Sequence, residues 1–333
     1  MATEVGVGEF DLIRRHLQRV GAARADVVLG VGDDAALVRP RQGMELALCV
    51  DTLVEGVHFH PGVAAADLGH KALAVNLSDL AAMGAEPAWA TLALTLPDAD
   101  EVWVAEFAAG FSALAGSVGL ALVGGDTCRG ARAVSVQVAG QVPCGQALRR
   151  RGAQPGDRVV VSGTLGDAAI ALSHCLDPQG RMLPAGEDAA ARQWLLNRLH
   201  RPSPRLALGE ALRGVASACI DISDGLLGDL GHLLTESELG ASIELSWLPL
   251  SAQALAVAGE SAARAAACAG GDDYELCFTI SEACTMKLTT LSARCGVALT
   301  VIGRIESEGG LSLRDADGRR VTPLATGYQH FAR

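Results

Sequence analysis

Lysine is nearly missing from this chain: only Lys71 and Lys287 occur, and every other basic residue is arginine. Neither lysine lies in a glycine-rich loop and no GxxxxGK(S/T) run exists, which excludes a P-loop nucleotide site. The GxSxG, HExxH and kinase HRD and DFG motifs are absent as well, removing the hydrolase, zincin and protein-kinase readings. The 9 cysteines are odd in number and scattered, with no CxxC pair. That pattern excludes a disulfide framework or a zinc ribbon and fits free thiols in a reducing compartment. No stretch reaches ~18 uninterrupted apolar residues, and MATEVGVGEFDLIRRHL lacks an apolar leader core. A cytoplasmic protein with no membrane partner is expected. Basic tracts are absent too, and the net charge of −11 argues against non-specific nucleic-acid binding.

What is present is a set of aspartates where charge is costly. Asp33 and Asp34 lie in GVGDDAAL, Asp51 in CVDTLVEG, Asp79 in AVNLSDLAAMGA and Asp126 in LVGGDTCRG. Asp221 and Asp224 lie in CIDISDGLLGDL, and Asp272 and Asp273 in AGGDDYELCF. A carboxylate beside a buried strand or helix is expensive unless paired or bound to metal. Two like charges ~4 Å apart at an effective dielectric of ~20 repel by roughly 4 kcal/mol. If these aspartates converge, cations must hold them together, and aspartate oxygens without a His/Cys cluster favour Mg²⁺ over zinc. A common reason to gather Mg²⁺ is a polyphosphate.

At 333 residues, half of them hydrophobic, the chain exceeds what one core usually serves, so two domains are expected. Helical spacing predicts helices over Phe10–Val20, Asp67–Met83 (with Gly84 as its stop) and Asp100–Ser117. Strands are predicted over Asp26–Gly32, Glu45–Asp51 and Ala88–Leu96, and in a run through Val123 that ends at a GGDT turn. A further strand covers Ala133–Val142. The segment from Pro143 to Asp157 mixes Pro, Gly, Gln and arginines and reads as a linker. Beyond it, strands at Arg158–Ser162, up to Asp221, near Ile243 and over Tyr274–Ile280 alternate with helices at Glu187–Leu199, Pro204–Val215 and Leu226–Glu236. The alternation gives an α/β or α+β architecture of two domains, 1–145 and 146–333.

Several motifs admit two readings. Asn76 and Asp79 share a helix face, as a core hydrogen bond or as a metal corner. In DISDGL, Ser223 or Asp224 is placed to cap a helix, while Asp221 and Asp224 could equally hold a hard cation. The glycines of GGDT and GGDD let backbone amides approach an anion. In GVGDD, one aspartate is expected to face a site and the other solvent or a helix end. His58 and His60 would share one side of a strand, and His58 suits a substrate contact better than a metal. Arg149, Arg150 and Arg151 form either a solvated run or a source of one phosphate-binding guanidinium.

Taken together and in order, GVGDDAAL, DTLVEGVHF, KALAVNLSDLAAMGAEPAW, LVGGDTCRG, DISDGLLGDLGHL and GGDDYELCF resemble the thiamine-monophosphate kinases over about residues 8–331. The resemblance implies ATP-dependent phosphorylation of thiamine monophosphate to thiamine diphosphate. It implies an N-terminal domain with a mixed sheet that pairs across a homodimer into a β-barrel, and a C-terminal α/β domain closing the cleft. By motif, Asp34, Asp51, Asp79, Asp126, Asp221 and Asp224 would hold several Mg²⁺ ions. Gly125, Asp126, Arg150 and Ser223 would meet ATP, and His58, Asp272 and Tyr328 the thiamine phosphate. No protein side chain is expected as a general base. Two departures from the family stand out: Cys49 and Val50 lie where hydroxyl residues are common, and Asp272 where glutamate is. Alternatives are another ATP-using enzyme of the same superfamily, or a non-catalytic Mg²⁺ or thiamine-phosphate binding protein.

Overall fold

The computed structural model describes residues 9–177, 180–183, 188–322 and 327. Contacts divide the chain into two units, Met1–Leu80 with Glu86–Cys144, and Ala81–Ala85 with Gly145–Arg333.

In the first unit, α1 (Glu9–Leu12) runs into a wider π-helical turn, Ile13–Leu17. A small antiparallel pair follows, β1 (Val27–Leu29) and β2 (Leu37–Val38). The main sheet takes β3 (Met44–Val54), β4 (Glu86–Leu96), β5 (Ala121–Arg129) and β6 (Ala133–Pro143) in the order β3-β6-β4-β5. Only β4 and β5 run parallel; β6 is antiparallel to both β3 and β4. Val134, Val136 and Val138 of β6 are fully buried on one face. The helix α2 (Ala65–Ala82) is so rich in Ala and Leu that almost every position from Lys71 to Ala82 is buried. Lys71 itself is only 4% exposed. Gly84, two residues past the end of α2, takes φ +64, as a helix stop requires.

The helix α3 (Glu101–Ser117) starts where Asp100 accepts hydrogen bonds from the amides of Val102 and Trp103, both at 3.0 Å. It crosses α2 at two glycines. A Cβ on Gly110 would lie 1.9 Å from the Ala66 carbonyl oxygen, and one on Gly69 2.1 Å from that of Phe107. The GGDT segment is not the expected turn, because β5 continues through it to Arg129. Its parallel ladder with β4 shifts register between Ala90 and Thr91 and carries the backbone past both glycines. There Gly125 has φ +156, and a Cβ would sit 1.9 Å from the Leu92 carbonyl oxygen. Tertiary pairing overrides the local turn signal.

The second unit holds β7 (Arg158–Ser162), β8 (Ala218–Ile222), β9 (Gly240–Glu244), β10 (Glu275–Ile280), β11 (Leu299–Glu306), β12 (Gly310–Arg314) and β13 (Arg320–Val321). They form one sheet in the order β13-β12-β9-β11-β7-β10-β8. All neighbours are antiparallel except β12 and β9. Its helices are α4 (Asp167–Ile170), α5 (Ala189–His200), α6 (Leu206–Leu212), α7 (Leu226–Ser237), α8 (Ala252–Ala269) and α9 (Leu288–Cys295). On one face, Leu226, Leu230 and Leu233 of α7 pack on Val159, Val161 and Ile220. On the other, Leu208 and Leu212 of α6 and Leu291 of α9 pack on Val160, Leu276 and Phe278. Each such leucine contributes roughly 1.5–3 kcal/mol by its burial. The two larger sheets are mixed, so each unit is of the α+β kind. The helix α8 and the strands β11, β12 and β13 are not among the elements that the sequence predicts.

Candidate active site

In the first unit, Asp51 lies near the end of β3 and is half-buried. Asn76, fully buried on α2, accepts a hydrogen bond from the Asp51 amide at 3.0 Å through Oδ1 and donates to the Ala72 carbonyl through Nδ2. Cys49 also donates its thiol to the Asn76 carbonyl at 3.4 Å. Asn76 is therefore a tether between α2 and β3, and the core-bond reading holds for it. Asp79, one turn further along α2, is half-buried. Across the sheet, Asp51 shares a row with Val136, Leu92 and Gly125, while Asp126 falls in the next row with Ala93, Ser135 and Thr52. Asp126 and Gly125 are exposed.

Asp33 and Asp34 are both exposed, and Asp33 turns its carboxylate back to accept the Asp34 amide at 2.8 Å. The VHFH segment is a turn, not a strand, so His58 and His60 are not strand neighbours. Val54 donates its amide to His58 Nδ1 at 3.0 Å, and His58 returns its own amide to the Val54 carbonyl at 2.9 Å. That bond makes Nδ1 the acceptor, so the ring presents a donor at Nε2. The turn is braced by Arg132, which donates to Glu55 at 2.7 Å and lies 4.8 Å over the Trp103 ring.

In the second unit, Asp221 is buried near the end of β8. The cap that follows is not made by Ser223 or Asp224. The amides of Ser223, Asp224 and Gly225 all donate to Asp229 Oδ2, at 3.0, 3.0 and 3.1 Å. Asp229 reaches back from the first turn of α7, where its charge meets the helix N-terminus. Burial pushes its carboxyl up to about 7, the nearby Asp221 charge adding to the effect and the amides opposing it. Asp221 and Asp224 bring further carboxylate oxygens to the same segment. A hard, oxygen-preferring cation such as Mg²⁺ fits that donor chemistry.

The loop before β10 lies on this segment. Asp272 donates its amide to the Ser223 carbonyl at 2.8 Å, and Tyr274 donates its amide to that of Ile222 at 2.8 Å. Both residues have positive φ, +69 and +49, a strained state for residues other than glycine. The buried Tyr274 donates its hydroxyl to Asp272 Oδ1 at 2.9 Å. Asp273 points elsewhere: buried, it accepts the Gly166 amide at 3.0 and 2.8 Å, and burial pushes its carboxyl well above the usual range. It thereby fixes the GTLGD turn.

Sequence reasoning missed the buried charge network beside it. Glu275, with no exposure, accepts from Arg198 at 2.8 Å, from Arg205 Nε at 2.7 Å and from Ser162 at 2.5 Å. Asp167 accepts from Thr164 and Ser251, both at 2.5 Å, and lies 3.6 Å from Arg198. The only available signal was a charged residue directly inside the apolar run YELCF, and no local spacing names its arginine partners.

Arg150 is exposed. Tyr328 lies outside the described residues. Among the described residues, no three His, Cys, Asp or Glu side chains are gathered as a set that could hold a metal ion, and no helix is long and apolar enough to cross a membrane. All nine cysteines are free thiols.

Two family models cover most of the chain: the N-terminal domain of AIR synthase related protein over residues 32–142 and its C-terminal domain over residues 154–316. The chain is 48% identical over 328 residues to the thiamine-monophosphate kinase of Escherichia coli O157:H7, covering 98% of each. It is 32% identical to that of Bacillus subtilis, over 97% of this chain and 99% of the relative. The chain belongs to the thiamine-monophosphate kinase family. Among solved structures, the thiamine-monophosphate kinase of Stenotrophomonas maltophilia K279a matches with a TM-score of 0.82 and 48% identity, over 90% of this chain and 93% of that one. AaThiL complexed with AMPPCP and TMP matches with a TM-score of 0.75 and 30% identity, over 98% and 97%. Hydrogenase maturation protein HypE in complex with ATP, at 20% identity and a TM-score of 0.69, shares the fold.

Proposed function

We propose that the chain transfers the γ-phosphoryl group of ATP to thiamine monophosphate, giving thiamine diphosphate in the last step of that cofactor's synthesis in the cytoplasm. The observation that carries this reading is end-to-end similarity to thiamine-monophosphate kinases at up to 48% identity. A relative complexed with an ATP analogue and TMP supports the two substrates. Local geometry agrees: the backbone bond from Asp272 to Ser223 sets a residue assigned to the acceptor beside one assigned to ATP.

In this reading Asp34, Asp51, Asp79, Asp126, Asp221 and Asp224 hold Mg²⁺, which when bound neutralises charge developing on the transferred group. Gly125, Asp126, Arg150 and Ser223 hold ATP. His58 offers its Nε2 proton to the acceptor, and Asp272 and Tyr328 complete that subsite. The acceptor's phosphate oxygen is already ionised near neutral pH, its second pKa being about 6. It attacks in line, so the chain positions the substrates and supplies no general base.

A homodimer completes the proposal. Leu46, Leu48 and Val50 alternate along β3 and are 44%, 60% and 63% exposed, so they share one outward face of the sheet. A second copy covering that apolar stripe would close the two sheets into a barrel.

ADP release in the presence of ATP and Mg²⁺ tests the reaction, with thiamine monophosphate, thiamine or no acceptor. Turnover with the monophosphate alone, abolished by EDTA, is the expected result. Turnover without acceptor would point to a sister ATPase, and binding without turnover to a non-catalytic protein.

A further inference from the structure

The three consecutive arginines are not equivalent. Arg149 and Arg151 line a cavity of about 490 Å³ together with Arg213, Leu148 and Ser217, whereas Arg150 is not part of its wall. The run is anchored through its backbone. Cys219 donates its amide to the Arg149 carbonyl at 2.8 Å, and Ser237 donates its hydroxyl to that of Arg150 at 3.3 Å. Gly152 donates its amide to Ser237 Oγ at 3.3 Å. Anchors at the start of β8 and the end of α7 thus hold the arginine backbones in place.

The charges around this cavity do not balance. Arg213 is tied to its own helix, lying 3.3 Å from the Glu210 carboxylate and donating to the Glu210 carbonyl at 3.1 Å. Arg149 and Arg151 are exposed and make no ion pair with any described carboxylate. In a chain of net charge −11, with acidic residues outnumbering basic ones 38 to 27, two uncompensated guanidiniums have been brought to one concavity. Folding gains nothing from that repulsion, and a bound anion would relieve it. Guanidinium groups present forked donors that match phosphate oxygens two at a time. Since a water takes about 30 Å³ in the liquid, the cavity has room for a phosphate ester or a diphosphate.

We propose that the cavity walled by Arg149, Arg151 and Arg213 is a second anion site, separate from the one assigned to ATP, for a phosphate or diphosphate group of a small molecule. Its cations are fixed on the protein, so it binds without metal, and it does not depend on the kinase reading. The test is calorimetric titration of the full chain with inorganic pyrophosphate in EDTA, where the aspartate-lined site has no ion to recruit the anion. Wild type and Arg150→Ala are expected to bind alike. The Arg149→Gln/Arg151→Gln variant should bind at least tenfold more weakly, with its circular dichroism and its ADP release at saturating substrates unchanged. Absence of metal-free binding by wild type overturns the proposal. So does undiminished binding by the double variant, or equal loss in Arg150→Ala, which would mean one shared site.

Discussion

Asp79 and Tyr274 are single side chains whose roles separate cleanly by measurement. Asp79 occupies the polar stripe of an otherwise apolar helix, next to the turn that Asn76 bonds to β3. Asp79→Asn keeps the shape and removes the charge, so thermal unfolding should match wild type while kcat falls about a hundredfold or more, as loss of a preorganised electrostatic group does. Wild-type turnover at saturating Mg²⁺ would end the metal role. Tyr274 holds the carboxylate of Asp272, a residue one methylene shorter than the glutamate common in the family. A hydrogen bond to a charged group is worth about 1.5 kcal/mol, close to tenfold in an equilibrium. Tyr274→Phe should therefore raise KM for thiamine monophosphate about tenfold and leave KM for ATP and kcat nearly unchanged. An equal fall in kcat/KM for both substrates would mark a purely structural tyrosine. Of the residue-level detail, the positions of Asp221 and Asp224 at a strand end were legible because the motif is local. The cap was not: Asp229 reaches back over four to six residues, and a Gly at the cap position gives no hint of which carboxylate will serve it.

At the scale of elements, the period of apolar residues marked α2, α3, β4, β7 and β10 to within a few residues, since burial on one face sets that period directly. It failed at GGDT, where the ladder with β4 decided the backbone, and at VHFH, where a His58 bond to Val54 closes a turn inside a run that alternates like a strand. Glu275 and its arginines were invisible for a related reason: the partners are 77 and 70 residues away. A carboxylate held by one near and one distant partner invites a test. Arg24 donates to Asp26 through Nε at 2.9 Å and Nη2 at 2.6 Å, and Trp89 of β4 adds its indole donor at 3.2 Å. The Arg24 bonds hold the Asp26 carboxyl below its ordinary value of 3.8. A carboxyl depressed in the fold stabilises above the unfolded value and loses that contribution as pH falls through the folded one. Asp26→Asn should cost about 1 kcal/mol at pH 7, a modest figure because the pair is about a fifth exposed. The gap from wild type in urea melts should close as pH drops below 3.8. A gap that stays constant with pH would assign the loss to packing.

At the scale of the whole molecule, the stripe of Leu46, Leu48 and Val50 predicts the assembly state. Leu48→Glu places a charge in the middle of it, on a side chain 60% exposed in the single chain. Sedimentation should show wild type as a dimer and the variant as a folded monomer. A monomeric wild type at micromolar concentration would remove the barrel. The two lysines lead to a different use. Lys71 is buried within α2 and Lys287 is exposed at the start of α9. Apart from a terminal amine, an acylating dye added to the native protein has one amine to find. The chain arrives with a built-in attachment point on its second unit, so a fluorophore placed there by ordinary coupling would report on that unit alone, with no engineered cysteine.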